Sequence, residues 1–375
     1  MSFRIRPIFV LFIIYCASAQ ANLCEDVFSR PVILKREIEV SGRPVAIEIL
    51  RRTRPSPNHL TDPAHPQPPL VLLVGGLAWR QKNFRPLMKK LSALELDTAS
   101  MSFSTQPDSF LKISEEDQSL LALGKLTSSD FAQEVISAAQ ALRKDNQDVI
   151  LVTLSYSSSL VPNLSKISND LFSKIILISP LVRAGEIYPK EAKLAQGYEG
   201  LLSLNPFFGR KLIDGFREKY TRNYAKSMVE SFGDYYSPAN VKASVVEDGL
   251  VSMIRATEEF DLEKELVLQG REIHFILGTD ENPDRLANQV QSFSAMRAKR
   301  NDSTIAFIPG ESHVTFAKRP ETTALMIGLI ASGKVPANKS VWGYIPEHEA
   351  FIPFDAGDNA AVADIAAQIK ARYHQ

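Results

Sequence analysis

The sequence is poor in cysteine and has no excess of charge, and each shortage removes a class of protein. Only two cysteines occur in 375 residues, at Cys16 and Cys24. The first lies in a segment expected to be removed, so no internal disulfide framework and no cysteine-based metal site can be built. Lysine plus arginine and aspartate plus glutamate both number 43, and there is no basic run, so a nucleic acid is not an expected partner. No repeat of fixed period stands out. Neither a Walker pattern nor the three-glycine dinucleotide fingerprint occurs. Apolar residues, by contrast, make up 45% of the chain, which excludes disorder for most of it. At this length the composition suits a large single domain, or a domain with an insertion.

The N-terminus reads MSFRIRPIFVLFIIYCASAQANLCEDVF. Arg4 and Arg6 give a positive start, Pro7 to Tyr15 an apolar stretch, and the alanines at 17, 19 and 21 a small-residue cleavage site. That order is the order of a secretory signal peptide over residues 1–21, with export to a periplasm or out of the cell as the expectation. The apolar part falls short of the ~20 residues that span a bilayer, so no transmembrane helix is expected in the mature chain.

Residues 22–69 read as an N-terminal hairpin, PVILKREIEV and RPVAIEILRR around Ser41-Gly42, followed by a proline-rich loop. From Leu70 the rhythm changes to short, continuous apolar runs (LVLLV, VILVTL, KIILI, EIHFILG, TIAFI) separated by helical spacing. Such runs are strands buried on both faces, and their alternation with helices predicts an α/β fold, a doubly wound and mostly parallel sheet. The alternation pauses over 183–256, which reads as a helical lid insertion between two parts of the core, 70–182 and 257–334. The tail, 335–375, reads as a C-terminal appendage ending in an alanine-rich helix.

Chemistry in such sheets gathers at the C-terminal ends of the strands. Located there are Gly75-Gly76-Leu77, the serine cluster SYSSS (155–159), Asp280-Glu281 and His313. A hydroxyl, an acid and a histidine thus follow one another in chain order. Over about Leu70 to Ser332, insertion excluded, this pattern resembles the α/β-hydrolase superfamily, in which a G-x-S-x-G elbow presents a nucleophilic serine. Aligned on that elbow, the resemblance makes Ser157 the nucleophile, with Ser155 and Ser159 in place of the flanking glycines. It makes His313 the base and Asp280 the acid, with Glu281 as the alternative. It also makes the backbone N–H groups of Leu77 and Ser158 the oxyanion donors.

Within the insertion, Phe216, Tyr220, Tyr224, Met228 and Phe232 recur every fourth place and lay an aromatic stripe along a helix. The stripe either packs on the core or roofs the cleft; in the second case Phe216 and Tyr220, with Tyr156 beside the elbow, contact an apolar substrate. The expected activity is hydrolysis of a carboxylic ester through an acyl-enzyme, on a small-molecule or lipid-like acyl substrate, with no metal and no other cofactor. A thioesterase or peptidase using the same triad, or a hydrolase-fold binding protein without activity, remains an alternative.

Overall fold

Ser41 and Gly42, both with positive φ, turn the chain between β1 (Val32–Val40) and β2 (Arg43–Arg51), which pair antiparallel. A two-residue turn of that kind matches the twist of the strands it joins. The computed structural model describes residues 32–51, 67–77, 79–110, 126–168, 170–183, 253, 256–257, 260–262, 272–298, 303–335, 340–354 and 359–373. The expected signal peptide, most of the proline-rich stretch and nearly all of the expected lid lie outside them.

The core follows the apolar runs closely. After β3 (Leu70–Val74) come α1 (Arg85–Ala93), β4 (Asp97–Ser102), α2 (Ser128–Leu142) and β5 (Val149–Leu154). Then follow α3 (Val161–Ile167), β6 (Lys174–Ile178), β7 (Glu272–Gly278), α4 (Pro283–Arg297), β8 (Thr304–Ile308) and α5 (Pro320–Ala331). Every residue of β3, β4, β5 and β8 is buried, as a strand covered on both faces requires. Thr127 caps α2 in a reciprocal box with Asp130: each side chain accepts the other's backbone N–H.

Beyond Val335 the sequence carries no clear strand signal, yet β9 (Val341–Ile345) and β10 (Ala350–Phe354) extend the sheet before α6 (Asn359–Tyr373). The glycine in VWGYI and the proline in AFIPF hide these strands from pattern reading. Pro353 is tolerated because β10 is the outermost strand, with an edge that needs no donor.

All ten strands form one sheet in the order β1-β2-β4-β3-β5-β6-β7-β8-β9-β10. From β4 to β9 every neighbouring pair is parallel, and the outer pairs are antiparallel. The strand order reverses at β3: the chain moves outward to β4, then crosses back to β5 on the other side. A crevice opens at such a switch point, above the C-terminal strand ends. There Gly75-Gly76-Leu77 leaves β3 and the serine cluster leaves β5.

Residues on either side of the expected lid pair with each other. Arg183 forms an antiparallel bridge with Asp261, and the Leu262 N–H donates to the Val182 carbonyl. Among the described residues no helix is long and apolar enough to cross a membrane.

Candidate active site

The backbone sets the first half of the site. Ser155 is the first residue past β5 and has φ +52°. A non-glycine residue rarely adopts that conformation, and it is found where the surrounding structure forces a sharp turn. Ser155 is therefore the apex of the strand-to-helix elbow, and its carbonyl accepts the Leu181 N–H from the end of β6. It keeps 9% of its surface exposed, whereas Ser157 keeps none.

The expectation that Ser157 occupies the exposed apex is thereby corrected. Its Oγ accepts the Leu154 N–H at 2.9 Å and lies 2.9 Å from the Val74 carbonyl and 3.1 Å from that of Leu154. The hydroxyl is spent on fastening the elbow to β3. With Ser155 as apex, Thr153 and Ser157 stand where the elbow pattern has glycines, and both use their hydroxyls inside the turn. Thr153 Oγ1 meets Ser158 Oγ at 3.3 Å, and Ser159 Oγ donates to the Tyr156 carbonyl at 2.7 Å.

Two other expected roles meet a different geometry. Tyr156 points its ring into the core, fully buried against Phe103 and Phe131 in edge-to-face contacts at 6.0 and 6.2 Å. Burial pushes its phenol well above the ordinary range. It does not line the crevice. Ser158 is the third residue past the apex, inside the 3₁₀ segment Ser155–Leu160, so the N–H next to the apex belongs to Tyr156. Phe216 and Tyr220 lie outside the described residues.

The loop after β3 borders the apex. A Cβ added at Gly75 would lie 2.0 Å from the Trp79 carbonyl oxygen, so only glycine lets this loop fold back on itself. Gln106, buried after β4, places its amide Nε2 3.1 Å from the Gly76 carbonyl and 3.3 Å from that of Trp79. With these carbonyls held toward Gln106, the loop containing Leu77 is fixed beside Ser155. A Cβ at Gly76 would lie 3.4 Å from the Ser155 Cβ.

Charge sets the second half. His313 follows β8, and its Nδ1 lies 2.8 Å from Glu281 Oε2, not from Asp280. Asp280 turns the other way, with Oδ1 3.2 Å from Lys370 on α6. The two neighbours diverge because α4 begins at Asn282, which caps it by accepting the Asp284 and Arg285 N–H groups. Burial pushes the Glu281 carboxyl up, but the His313 imidazole and the Arg285 guanidinium more than offset this and hold it below the usual carboxylate range. His313 lies below the ordinary histidine value; burial depresses it, Glu281 works against that, and Arg285 reinforces it. Arg285 was not singled out by the sequence. Its only signal there is its place four residues after Glu281, one helical turn on.

Close packing ties the loops together. Gly278, at the end of β7, is the only residue type that fits against the Glu311 carbonyl, which would lie 2.1 Å from an added Cβ. The Asp280 N–H donates to that same carbonyl at 2.7 Å. Beyond His313, Phe316 stacks edge-on against Trp79 at 4.7 Å and lies 5.2 Å from Phe84. Those two rings belong to the segment after β3, four strands from β8, or roughly 19 Å at ~4.8 Å per strand. The segment after His313 thus reaches back from β8 to the loop after β3, whose Gly76 approaches Ser155. Among the described residues, no three histidine, cysteine, aspartate or glutamate side chains group as metal ligands.

No protein-family model matches the chain, and no curated protein sequence does. Many solved structures match by shape. One is an esterase from Thermogutta terrifontis, with TM-score 0.56 and 12% identity over 80% of this chain and 98% of that one. Another is a hydrolase from Pseudomonas aeruginosa, at 0.55 and 11% over 80% and 98%. A third is an enol-lactonase from Burkholderia xenovorans, at 0.52 and 15% over 78% and 98%. At such identities the likeness speaks for architecture. The mostly parallel ten-stranded sheet agrees with it: the chain has the α/β-hydrolase fold.

Proposed function

We propose that the protein is a serine hydrolase that cleaves a carboxylic ester through a Ser155–His313–Glu281 triad. The observation that carries this reading is the 2.8 Å contact between the Glu281 carboxylate and His313 Nδ1, in a segment whose Phe316 packs on Trp79 of the loop after β3. A carboxylate that accepts the Nδ1 proton fixes the tautomer in which Nε2 is the base. In this mechanism Nε2 takes the proton of Ser155 Oγ as that oxygen bonds to the ester carbonyl carbon. The N–H groups of Leu77 and Tyr156 receive the developing oxyanion. The C–O bond then breaks, the alcohol leaves with the proton from Nε2, and the acyl group stays on Ser155. Water attacks this ester, gives its proton to Nε2, and releases the carboxylic acid as Ser155 recovers its hydrogen.

The solved hydrolases of like shape, an esterase and an enol-lactonase among them, support hydrolysis of an ester. Export rests on the N-terminal segment: sequencing the mature protein from the periplasm or medium should find a start near residue 22. A start at residue 1 would sink that part. The enzyme reading is tested with p-nitrophenyl esters of graded chain length, with a p-nitroanilide and a thioester alongside. Turnover of the esters that is lost in Ser155→Ala supports it; no turnover of any ester contradicts it. Preference for the thioester or amide would keep the triad and change the substrate class.

A further inference from the structure

Arg285 occupies a place where a helix disfavours a cation. It lies in the first turn of α4, where the backbone N–H groups already present partial positive charge. Side chains of a helix lean toward its N-terminus, and Arg285 follows that lean back to the residue just before the cap. There Nη1 lies 3.2 Å from Glu281 Oε1 and 3.2 Å from His313 Nδ1. Nδ1–H already donates to the other carboxylate oxygen, so Nη1 can donate only to Oε1. The guanidinium and the imidazole therefore share one buried carboxylate, and two donor edges face each other across it.

We propose that Arg285 is a positioning residue of the site: it anchors Glu281 and opposes the positive charge that His313 takes up, so the base stays free at lower pH than a carboxylate–imidazole pair alone would allow. This rests on the triad reading above. In that reading the imidazolium forms in each half-reaction, so the arginine exchanges some transition-state support for a base that is not lost in acid.

The charged groups around His313 are consistent with this division. Glu281 and Arg285 touch it from the acid loop and α4. Glu311, on its own loop, is paired with Arg319 at 2.8 Å and also faces Lys318. Asp280, at the end of β7, is paired with Lys370 at 3.2 Å. From the β3 side the same segment meets the apolar rings of Trp79 and Phe84, and beyond them Arg80 pairs with Asp108 at 3.4 Å. Among the described residues, Arg285 is thus a cation that the geometry sets directly against both Glu281 and His313. A structural role alone, joining α4 to the acid loop, would leave the titration of His313 where it is.

The test follows His313 itself. Its imidazole resonances, assigned with His313→Gln, are titrated by NMR in the full chain and in Arg285→Gln and Arg285→Lys, with thermal unfolding as the check on folding. The His313 midpoint should move up the pH scale in Arg285→Gln and stay near the wild-type position in Arg285→Lys, which keeps the charge. The acid limb of kcat/KM for p-nitrophenyl acetate should move with it. A midpoint that stays put or moves down in Arg285→Gln overturns the proposal. An unmoved midpoint in an active enzyme removes the arginine's role and leaves the triad. A midpoint that moves up in a protein that hydrolyses no ester keeps the coupling and removes the triad.

Discussion

The two halves of the site are built by different means. On the β5 side the contacts nearest Ser155 are uncharged: a strained backbone angle at Ser155, a close approach at Gly75, a hydroxyl clip at Ser157 and an amide clamp at Gln106 fix the geometry. On the β7–β8 side the side chains are fixed largely by ion pairs, through Glu281 with His313 and Arg285, Asp280 with Lys370, and Glu311 with Arg319. The first half should respond to bulk and be indifferent to pH. The second should respond to charge and tolerate small changes of shape. A nucleophile needs position above all, whereas a base needs a tuned proton affinity, and under the proposed triad the division matches that need.

The sharpest way to break this contrast is within the serine cluster. Ser155→Ala should lower kcat/KM by about 10⁴ to 10⁶-fold, as removal of a triad nucleophile does. Next in size is the acid. Glu281→Gln keeps the shape and removes the charge, and it should cost about 10³ to 10⁴-fold in kcat through loss of the imidazole's tautomer and charge support. Gly75→Ala acts by bulk alone: its Cβ would collide with the Trp79 carbonyl and push the oxyanion loop aside. A drop in kcat of about 10² to 10³-fold with KM nearly unchanged is expected, the size of a lost oxyanion donor. A drop that depended on pH would mean that the two halves are not separate.

Two controls are expected to be small. Ser157→Ala removes a buried clip and leaves the Leu154 N–H without that acceptor, so urea unfolding should show a loss of about 1–3 kcal/mol while turnover stays within tenfold. Asp280→Asn should leave kcat within a few-fold, because its partner Lys370 is 43% exposed and the pair is screened by solvent, at about 0–1 kcal/mol. If Asp280→Asn proved as damaging as Glu281→Gln, the assignment of the acid would be overturned.

The central strands were legible because a strand buried on both faces must be apolar along its whole length, as in LVLLV and KIILI. The strand ends were legible for the same reason, and the serine cluster, the acidic pair and His313 each stand just past such a run. What the residues did not reveal was register at the level of one or two positions. The elbow pattern is located by its glycines. With Thr153 and Ser157 in their place, a run of four serines around one tyrosine offers several equivalent alignments. The signal that decides is the strand end: β5 stops at Leu154, so the sharp turn falls on the next residue. Asp280 and Glu281 are adjacent carboxylates, and composition cannot say which one faces His313. The start of α4 at Asn282-Pro283 decides it, because the residue just before the cap is the one within reach of Arg285. β9 and β10 were obscured by Gly343 and Pro353, residues that a strand tolerates only where packing or an open edge allows them.

The account depends on which hydroxyl is the reactive one, and one adduct locates it. The purified protein is treated with a fluorophosphonate, digested, and the modified serine is assigned from fragment ions that separate 155 from 157–159. The mass increment should sit on Ser155 and be absent when His313 is changed to Gln. An adduct on Ser157, or on a serine away from the end of β5, would contradict the account.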